Sequence, residues 1–506
     1  MSRTFRYPWL PVAILLTVGW LALVWSRQLA HGLTHFPSRA PAMKVTTTHT
    51  EPMVSQVVLV VAPGLRVSDP KSMPGWQELA RLGASGQLRA VQPTFAWPNL
   101  AAIATGAPPW MTGVLTDLHA GEAGGESLFS RLPTAVVGSF AWDRLFPGQL
   151  ARSAAFADDI GDPDRTQRAL HWIGEGFELV VVEYASQNPA SIDSQLVELG
   201  RGLDFSRTAL LVVSPHGRTA RGGRGGNESE VVNVPVLLVG GPATEGSKLT
   251  GRMVDVAPTV SALLGIPPPA HSLGQPLVGP PALRELARQR QLELADACLS
   301  RYGLARGSGD PVSELLTKLE GYEQRGRVLR LAALIVVLVA LAVLMVRIDR
   351  RQGLKVMVLA LQWGALVALS WNLGYLVLIG PYSPSRLTSW SEARLLGLFC
   401  ALLGFALVLI AAGLRGALRE PGRPASGGLG VAAGTVAFMS IQALLYGVFY
   451  GFPRLVAVPR ADFTMALAAL LAGLVGVCLA APLTPWVSRL AGRWPIRKGS
   501  FGKVTA

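Results

Sequence analysis

The residues best placed to do chemistry are arginines and one histidine that follow strand-like runs. Arg66 comes directly after VSQVVLVVAPGL (54–65), and His216, Arg218, Arg221 and Arg224 follow ALLVVS (209–214). Guanidinium groups hold phosphate or carboxylate through paired N–H donors and need no metal to do so. The five residues are therefore read as an anion-binding set for a phosphorylated glycan or lipid. The bland alternatives are solvated loop arginines and a hydrogen-bonded structural imidazole. Asp69, Asp158, Asp159, Glu183 and Asp193 are the carboxylates available to a metal, and Thr94 is a hydroxyl to which no base can be assigned.

A second stretch, QPTFAWPNLAAIATGAPPWMTGV (92–114), gives these loops a context. It resembles the nucleophile segment of the alkaline-phosphatase superfamily, in the branch of type I phosphodiesterases and nucleotide pyrophosphatases. There P-T-x-T-x-P-N precedes a short helix and a T-G turn. The resemblance implies that the second Thr attacks phosphorus while two zinc ions hold the phosphate. Pro98, Asn99, Thr105 and Gly106 match, but the nucleophile position is Ala96, which has no oxygen to attack with.

The family's metal ligands fare no better. Its D-G-L-R after the first strand is Pro63-Gly64-Leu65-Arg66 here, and its S-D-H-G is Ser214-Pro215-His216-Gly217. The His of its G-x-H-G-G loop is Arg224 in Gly222-Gly223-Arg224-Gly225-Gly226, and the Asp of D-x-x-G-H falls on Ser186. A shift of three residues would place Glu183 there instead. The segments Asn233–Gly240, Asp255–Thr259 and Leu263–Pro267 match well, so the resemblance covers residues 54 to 277. One imidazole cannot organise a two-metal site. Pro63, Ala96, Asn99, Ser186, Pro215, His216 and Arg224 are thus expected to be vestigial positions, with no catalytic residue and no metal, and zinc only if the site is active after all. A relocated metal site is disfavoured, because Asp69 lies past its strand end and Asp193 reads as helical.

These loops need a scaffold, and the chain supplies one. Strands are expected at 54–65, 134–140, 177–184, 209–214 and 234–241, with helices between them. Asp162-Pro163 starts a helix toward Trp172, Asp255 caps another, and MPGWQELARLGASG reads as a short helix with a glycine-rich stop. Strand alternating with helix implies an α/β fold with a mostly parallel sheet and flanking helices. In such sheets ligands sit at the carboxyl ends of the strands, where the loops above must lie.

The rest of the chain is membrane-like. Half the residues are hydrophobic and 15% are charged. The formal charge of +14 is not gathered on one patch, since many arginines flank apolar runs; nucleic acid is therefore not the expected partner. Residues 1–30 read as an uncleaved signal anchor, because the apolar run 8–25 is long and no small-x-small cleavage site follows. A linker (31–53), the alkaline-phosphatase-like domain (54–280) and a helical stalk (281–327) come next. A five-span α-helical transmembrane bundle (328–488) and a basic tail (489–506) complete the chain, with spans near 329–346, 356–380, 395–414, 428–452 and 463–487.

Arg347, Arg350, Arg351 and Lys355, then Arg415, Arg419 and Arg423, then Arg489, Arg493, Arg497, Lys498 and Lys503 mark the cytoplasmic side. The other loops carry Arg386, Arg394, Arg454 and Arg460. The expected layout is six spans in a cytoplasmic (inner) membrane, both termini cytoplasmic and the large domain outside. It looks like that of the ethanolamine-phosphate transferases that build glycolipid anchors. The first reading is a membrane-anchored pseudoenzyme used in binding or envelope assembly, in contact with the lipid bilayer and with a membrane-protein partner. An active phosphodiesterase or phosphotransferase with an unconventional site, and an accessory subunit of a transporter, are the rivals.

Overall fold

The computed structural model describes residues 10–45, 49–155, 161–348, 350–418, 427–450 and 461–493. Asp158 and Asp159 lie outside the described residues, as do Arg3, Arg6, Arg419, Arg423, Arg454, Arg460, Arg497, Lys498 and Lys503.

Among the described residues the strands are β1 (Gln56–Val61), β2 (Gly83–Arg89), β3 (Thr134–Gly138), β4 (Arg152–Ala155), β5 (Leu179–Glu183), β6 (Thr208–Val213), β7 (Asn233–Val239) and β8 (Lys248–Arg252). They form one sheet in the order β4-β3-β5-β1-β6-β7-β2-β8. All neighbours pair in parallel except β7, which runs antiparallel to β6 and β2. The helices are α1 (Leu10–Thr34), α2 (Pro74–Arg81), α3 (Ala96–Thr105), α4 (Pro109–Thr112), α5 (Ala141–Leu145), α6 (Asp162–Gly174), α7 (Pro189–Arg201), α8 (Ser229–Val232) and α9 (Val256–Leu263). Beyond them come α10 (Pro281–Ser300), α11 (Pro311–Ile348), α12 (Arg350–Leu378), α13 (Trp390–Ala417), α14 (Gly427–Tyr450), α15 (Ala461–Ala480) and α16 (Thr484–Ala491).

The unbroken Val/Leu run of β1 reflects burial on both faces. Val57, Leu59 and Val61 pack with α3 and α9, whereas Val58 and Val60 pack with α2, α6 and α7. The five expected strands are the central ones. β2, β4 and β8 were not foreseen, and the glycine-rich stop after α2 is β2 itself. Glycine weakens a strand in isolation, but here backbone approach demands it. A Cβ on Gly83 would overlap the Leu238 carbonyl, and one on Gly86 the Leu249 carbonyl.

Two further expectations change. Asp255 does not cap α9 with its side chain; its carboxylate accepts the N–H groups of Arg252 (2.7 Å) and Gln275 (2.9 Å). The segment read as a linker is bound to the α/β domain. Phe36 is buried, Arg39 N donates to Met111 O (3.2 Å) and Thr50 N to Gly265 O (2.8 Å).

Four helical stretches among the described residues are long and apolar enough to cross a membrane: Pro11–Thr34, Ser391–Ala417, Gly428–Phe449 and Asp462–Ala491. α1 packs along α15, with Gly19 against Cys478. Glycines also bring α12 onto α14 (Gly364 at Gly434) and α13 onto α15 (Gly404 at Gly473), the small-residue packing expected where lipid supplies no hydrophobic drive. The polar first half of α11 packs with α10 against Ala107, Met111 and Leu273 of the α/β domain.

Candidate functional site

The site is built around the start of α3. Phe95 is extended and Ala96 is the first helical residue, so position 96 sits where the backbone N–H groups of the first turn point outward. Asn99 is fully buried and holds this turn. Its Oδ1 accepts Val91 N–H (2.8 Å), and its Nδ2 donates to Phe95 O (2.9 Å). Thr94 donates to Gly226 O (2.6 Å), tying the segment to the glycine-rich loop. The strand–turn–helix frame is thus intact around a residue without a nucleophilic atom.

Asp117 faces the same turn. Its Oδ1 accepts Trp97 N–H (2.9 Å), and its Oδ2 accepts from Arg224 Nη2 (2.8 Å) and Nε (3.2 Å). A helix N-terminus favours an anion, and here that anion is part of the chain. Asp117 lies in a loop outside every matched motif, and no spacing rule singled it out.

Of the five residues expected to bind an anion, the structure does not make one cradle. Arg66 donates from its backbone N–H to Asp69 Oδ2 (3.0 Å) and from Nη2 to Thr219 O (3.1 Å), while its Nε is buried without a partner. Arg218 donates to Gly64 O and pairs with Asp69 (3.2 Å). These two arginines tie the loop after β1 to the loop after β6. Arg221 is exposed. Arg224 reaches the α3 turn through Asp117, and His216 lies earlier in the same loop after β6.

His216 is buried, and its Nδ1 faces Gly217 O at 2.8 Å. That carbonyl can only accept, so Nδ1 carries the proton and Nε2 presents a lone pair, which has no partner. Burial first, then the positive charge of Arg224, holds its pKa down to about 4; Asp117 opposes the shift and Arg218 adds to it. A base whose folded pKa lies below its unfolded value loses stability as pH falls toward the folded value. Replacing His216 by Gln should therefore flatten the acid limb of the stability profile. The wild type should lose about 2 kcal/mol more than the variant between pH 7 and pH 5, read by thermal unfolding of both proteins. Parallel profiles would exclude a buried neutral imidazole.

The other ligand positions carry no ligating group. Pro63 and Pro215 offer none, and Ser186 accepts Asn188 N–H (3.0 Å) in a local turn. The carboxylates nearby have structural work. Glu183 Oε2 accepts from Ser139 N, Ser139 Oγ and Trp142 Nε1 at 2.7–2.9 Å. Asp193 accepts Gly75 and Trp76 N–H (3.0 and 2.8 Å) at the start of α2. Asp162, expected only as a helix start, accepts Ala185 and Ser186 N–H (2.7 and 3.1 Å). Among the described residues no three of His, Cys, Asp and Glu converge. A lone imidazole beside two guanidinium groups does not fit a pair of zinc ions.

The glycine-rich loop meets the turn between α12 and α13. That turn places Ser385 Oγ 2.8 Å from Gly226 N, and Ser383 Oγ donates to Glu228 Oε1 (2.5 Å). A Cβ on Gly223 would overlap the Ser385 carbonyl. This contact pairs residues more than 150 positions apart, and nothing in the sequence announced it.

No family model matches the chain. It is 32% identical over 140 residues to a 2,3-bisphosphoglycerate-independent phosphoglycerate mutase of Cereibacter sphaeroides, covering 24% of this chain and 27% of that one. It is 24% identical over 292 residues to the catalytic subunit of human GPI ethanolamine phosphate transferase 2, covering 48% and 30%. The chain thus spans about a third or less of the length of these curated relatives. Similar solved structures include murine ectonucleotide pyrophosphatase/phosphodiesterase 5 (10% identity, 42% of this chain and 95% of that one, TM-score 0.37). Another is an alkaline-phosphatase-superfamily protein of Vibrio parahaemolyticus (15% identity, 53% and 78%, TM-score 0.39). A third is a lipoteichoic acid synthase of Listeria monocytogenes (12% identity, 48% and 79%, TM-score 0.35). The chain has an eight-stranded, mostly parallel α/β sheet with flanking helices, joined to helices long and apolar enough to cross a membrane, and over part of its length it is similar to a phosphoglycerate mutase and to a glycolipid ethanolamine-phosphate transferase.

Proposed function

We propose that this is a membrane-anchored, alkaline-phosphatase-like protein whose α/β domain does not catalyse phosphoryl transfer and serves in binding and envelope assembly. The observation that carries this reading is the start of α3. The nucleophile position is Ala96, and the anion position beside it is taken by Asp117 paired with Arg224. The relatives are named as a phosphotransferase and a phosphomutase, which favours the rival of an active enzyme with an unconventional site. Metal analysis of the intact protein, with hydrolysis of a chromogenic phosphodiester, separates the two. The expected result is no stoichiometric zinc and no turnover above a heat-treated control; zinc at one or two per chain with turnover would overthrow the proposal.

We also propose six spans in a cytoplasmic membrane, with the termini inside and the α/β domain outside. The end of α1, the start of α11 and the α12–α13 turn all contact the α/β domain, which supports an alternating path with that domain on one side. Arg330 donates to Val448 O (3.0 Å), which puts the end of α14 level with the middle of α11, where the expected span 329–346 begins. The positively charged loops support the other side as cytoplasmic. Contact between the glycine-rich loop and the membrane region supports an assembly role for the domain, with a lipid, glycan or membrane protein as its outer partner.

A further inference from the structure

We propose that the cradle formed by the first turn of α3, Arg224 and His216 is a latent site for a tetrahedral oxyanion such as phosphate, held shut by the Asp117 carboxylate. This deepens the non-catalytic reading and rests on it.

Three observations meet at this point. The N–H of Trp97, in the first turn of a ten-residue helix, is satisfied only by Asp117 Oδ1 in the hydrogen bonds seen, at 2.9 Å. Arg224 presents both Nη2 and Nε to the single oxygen Asp117 Oδ2, so the two N–H groups that a phosphate could engage with two of its oxygens are shared here by one. His216 is 1% exposed, its Nε2 has no partner, and it shares the loop after β6 with Arg224. An unpartnered lone pair in a buried site suits a protonated oxygen, which a hydrogen phosphate group carries and a carboxylate does not. Asp117 therefore satisfies the turn and the guanidinium but leaves the imidazole unused.

The occupant is tethered and the pair is half-buried, so it competes with a diffusing anion at high effective concentration. An incoming phosphate must displace the carboxylate before it gains the helix N-terminus, Arg224 and the His216 lone pair. Wild-type affinity should be weak for this reason. It should rise when Asp117 is removed, without any metal.

The test is a calorimetric titration of inorganic phosphate into the full chain in detergent, with metal chelated. Wild type, Asp117→Ala, Asp117→Asn, and Asp117→Ala combined with Arg224→Ala are compared. The expected result is binding at least tenfold tighter in Asp117→Ala than in wild type, returning to the wild-type level or below in the double variant. Asp117→Asn keeps an acceptor for the turn while freeing Arg224, so it should bind severalfold more tightly than wild type even if the alanine variant fails to fold. No gain in either single variant, or a gain that survives loss of Arg224, overturns the proposal. Glycerol phosphate binding as tightly as inorganic phosphate would uphold the site with a headgroup as its ligand, and inorganic phosphate alone would uphold it with a free anion. Zinc and turnover in the wild type would instead remove the reading beneath it, so the two failures are told apart.

Discussion

Glu183→Ala should destabilise the protein by about 4 kcal/mol or more, whereas Glu183→Gln should cost about 1–2 kcal/mol. The carboxylate at the end of β5 is buried and its Oε2 accepts three hydrogen bonds, from Ser139 N (2.9 Å), Ser139 Oγ (2.7 Å) and Trp142 Nε1 (2.8 Å). Truncation strands the indole N–H in the core and the backbone N–H of half-buried Ser139 at its edge, at roughly 1–3 kcal/mol for a buried donor, and opens a cavity beside them. Trp142 is itself fully buried, edge-on to Phe129 at 5.7 Å, so it cannot turn its N–H to water. Glutamine keeps an acceptor oxygen in place and leaves only its own amide N–H groups to accommodate. Burial raises the carboxyl pKa, and these same hydrogen bonds oppose the shift. Chemical denaturation of the two variants gives the comparison. A loss below 1 kcal/mol in the alanine variant would mean that the carboxylate is free for another role, including that of a metal ligand.

What the sequence made legible divides along a physical line. The inner strands β1, β5, β6 and β7 were readable because burial on both faces leaves an unbroken apolar signature in adjacent residues. The turn into α3 was readable because Pro98, Asn99 and Gly106 each do a local job; Gly106, for example, ends the helix with a φ of 69°. β2 was hidden because its glycines answer to Leu238 and Leu249, which lie more than 150 residues away. Asp117 was hidden for the same reason. It is one acid in a loop, and its meaning comes from Trp97 and Arg224, which only the closed fold brings to it. Motif comparison could say which groups were missing at Pro63, Ala96 and Pro215. It could not say that a carboxylate had taken the anion's place, because that residue belongs to no motif.

Gly223→Ala should part the α/β domain from the turn between α12 and α13, at a total cost of about 3–5 kcal/mol. A Cβ at this position would overlap the Ser385 carbonyl oxygen. A backbone group cannot rotate away as a side chain can, so the turn itself must move. Once it moves, the bonds from Gly226 N to Ser385 Oγ (2.8 Å) and from Ser383 Oγ to Glu228 Oε1 (2.5 Å) are lost together. Overpacking contributes roughly 1–3 kcal/mol and each lost hydrogen bond about 1 kcal/mol. Gly222→Ala is the control. Gly222 has a φ of 86° and open space where the Cβ would go. That variant therefore incurs the left-handed backbone strain of about 1–2 kcal/mol and keeps the contact. Limited proteolysis at the exposed residues Thr388 and Ser389 reads the difference without reference to any activity. Cleavage should quicken in the Gly223 variant and stay near the wild-type rate in the Gly222 variant. Equal rates in all three proteins would mean that the glycine-rich loop does not hold the membrane region. Because Arg224 lies between the two contact glycines, the same displacement should loosen its pair with Asp117. Phosphate binding to the Gly223 variant should then exceed that of the wild type, which would connect the membrane-side contact to the anion cradle.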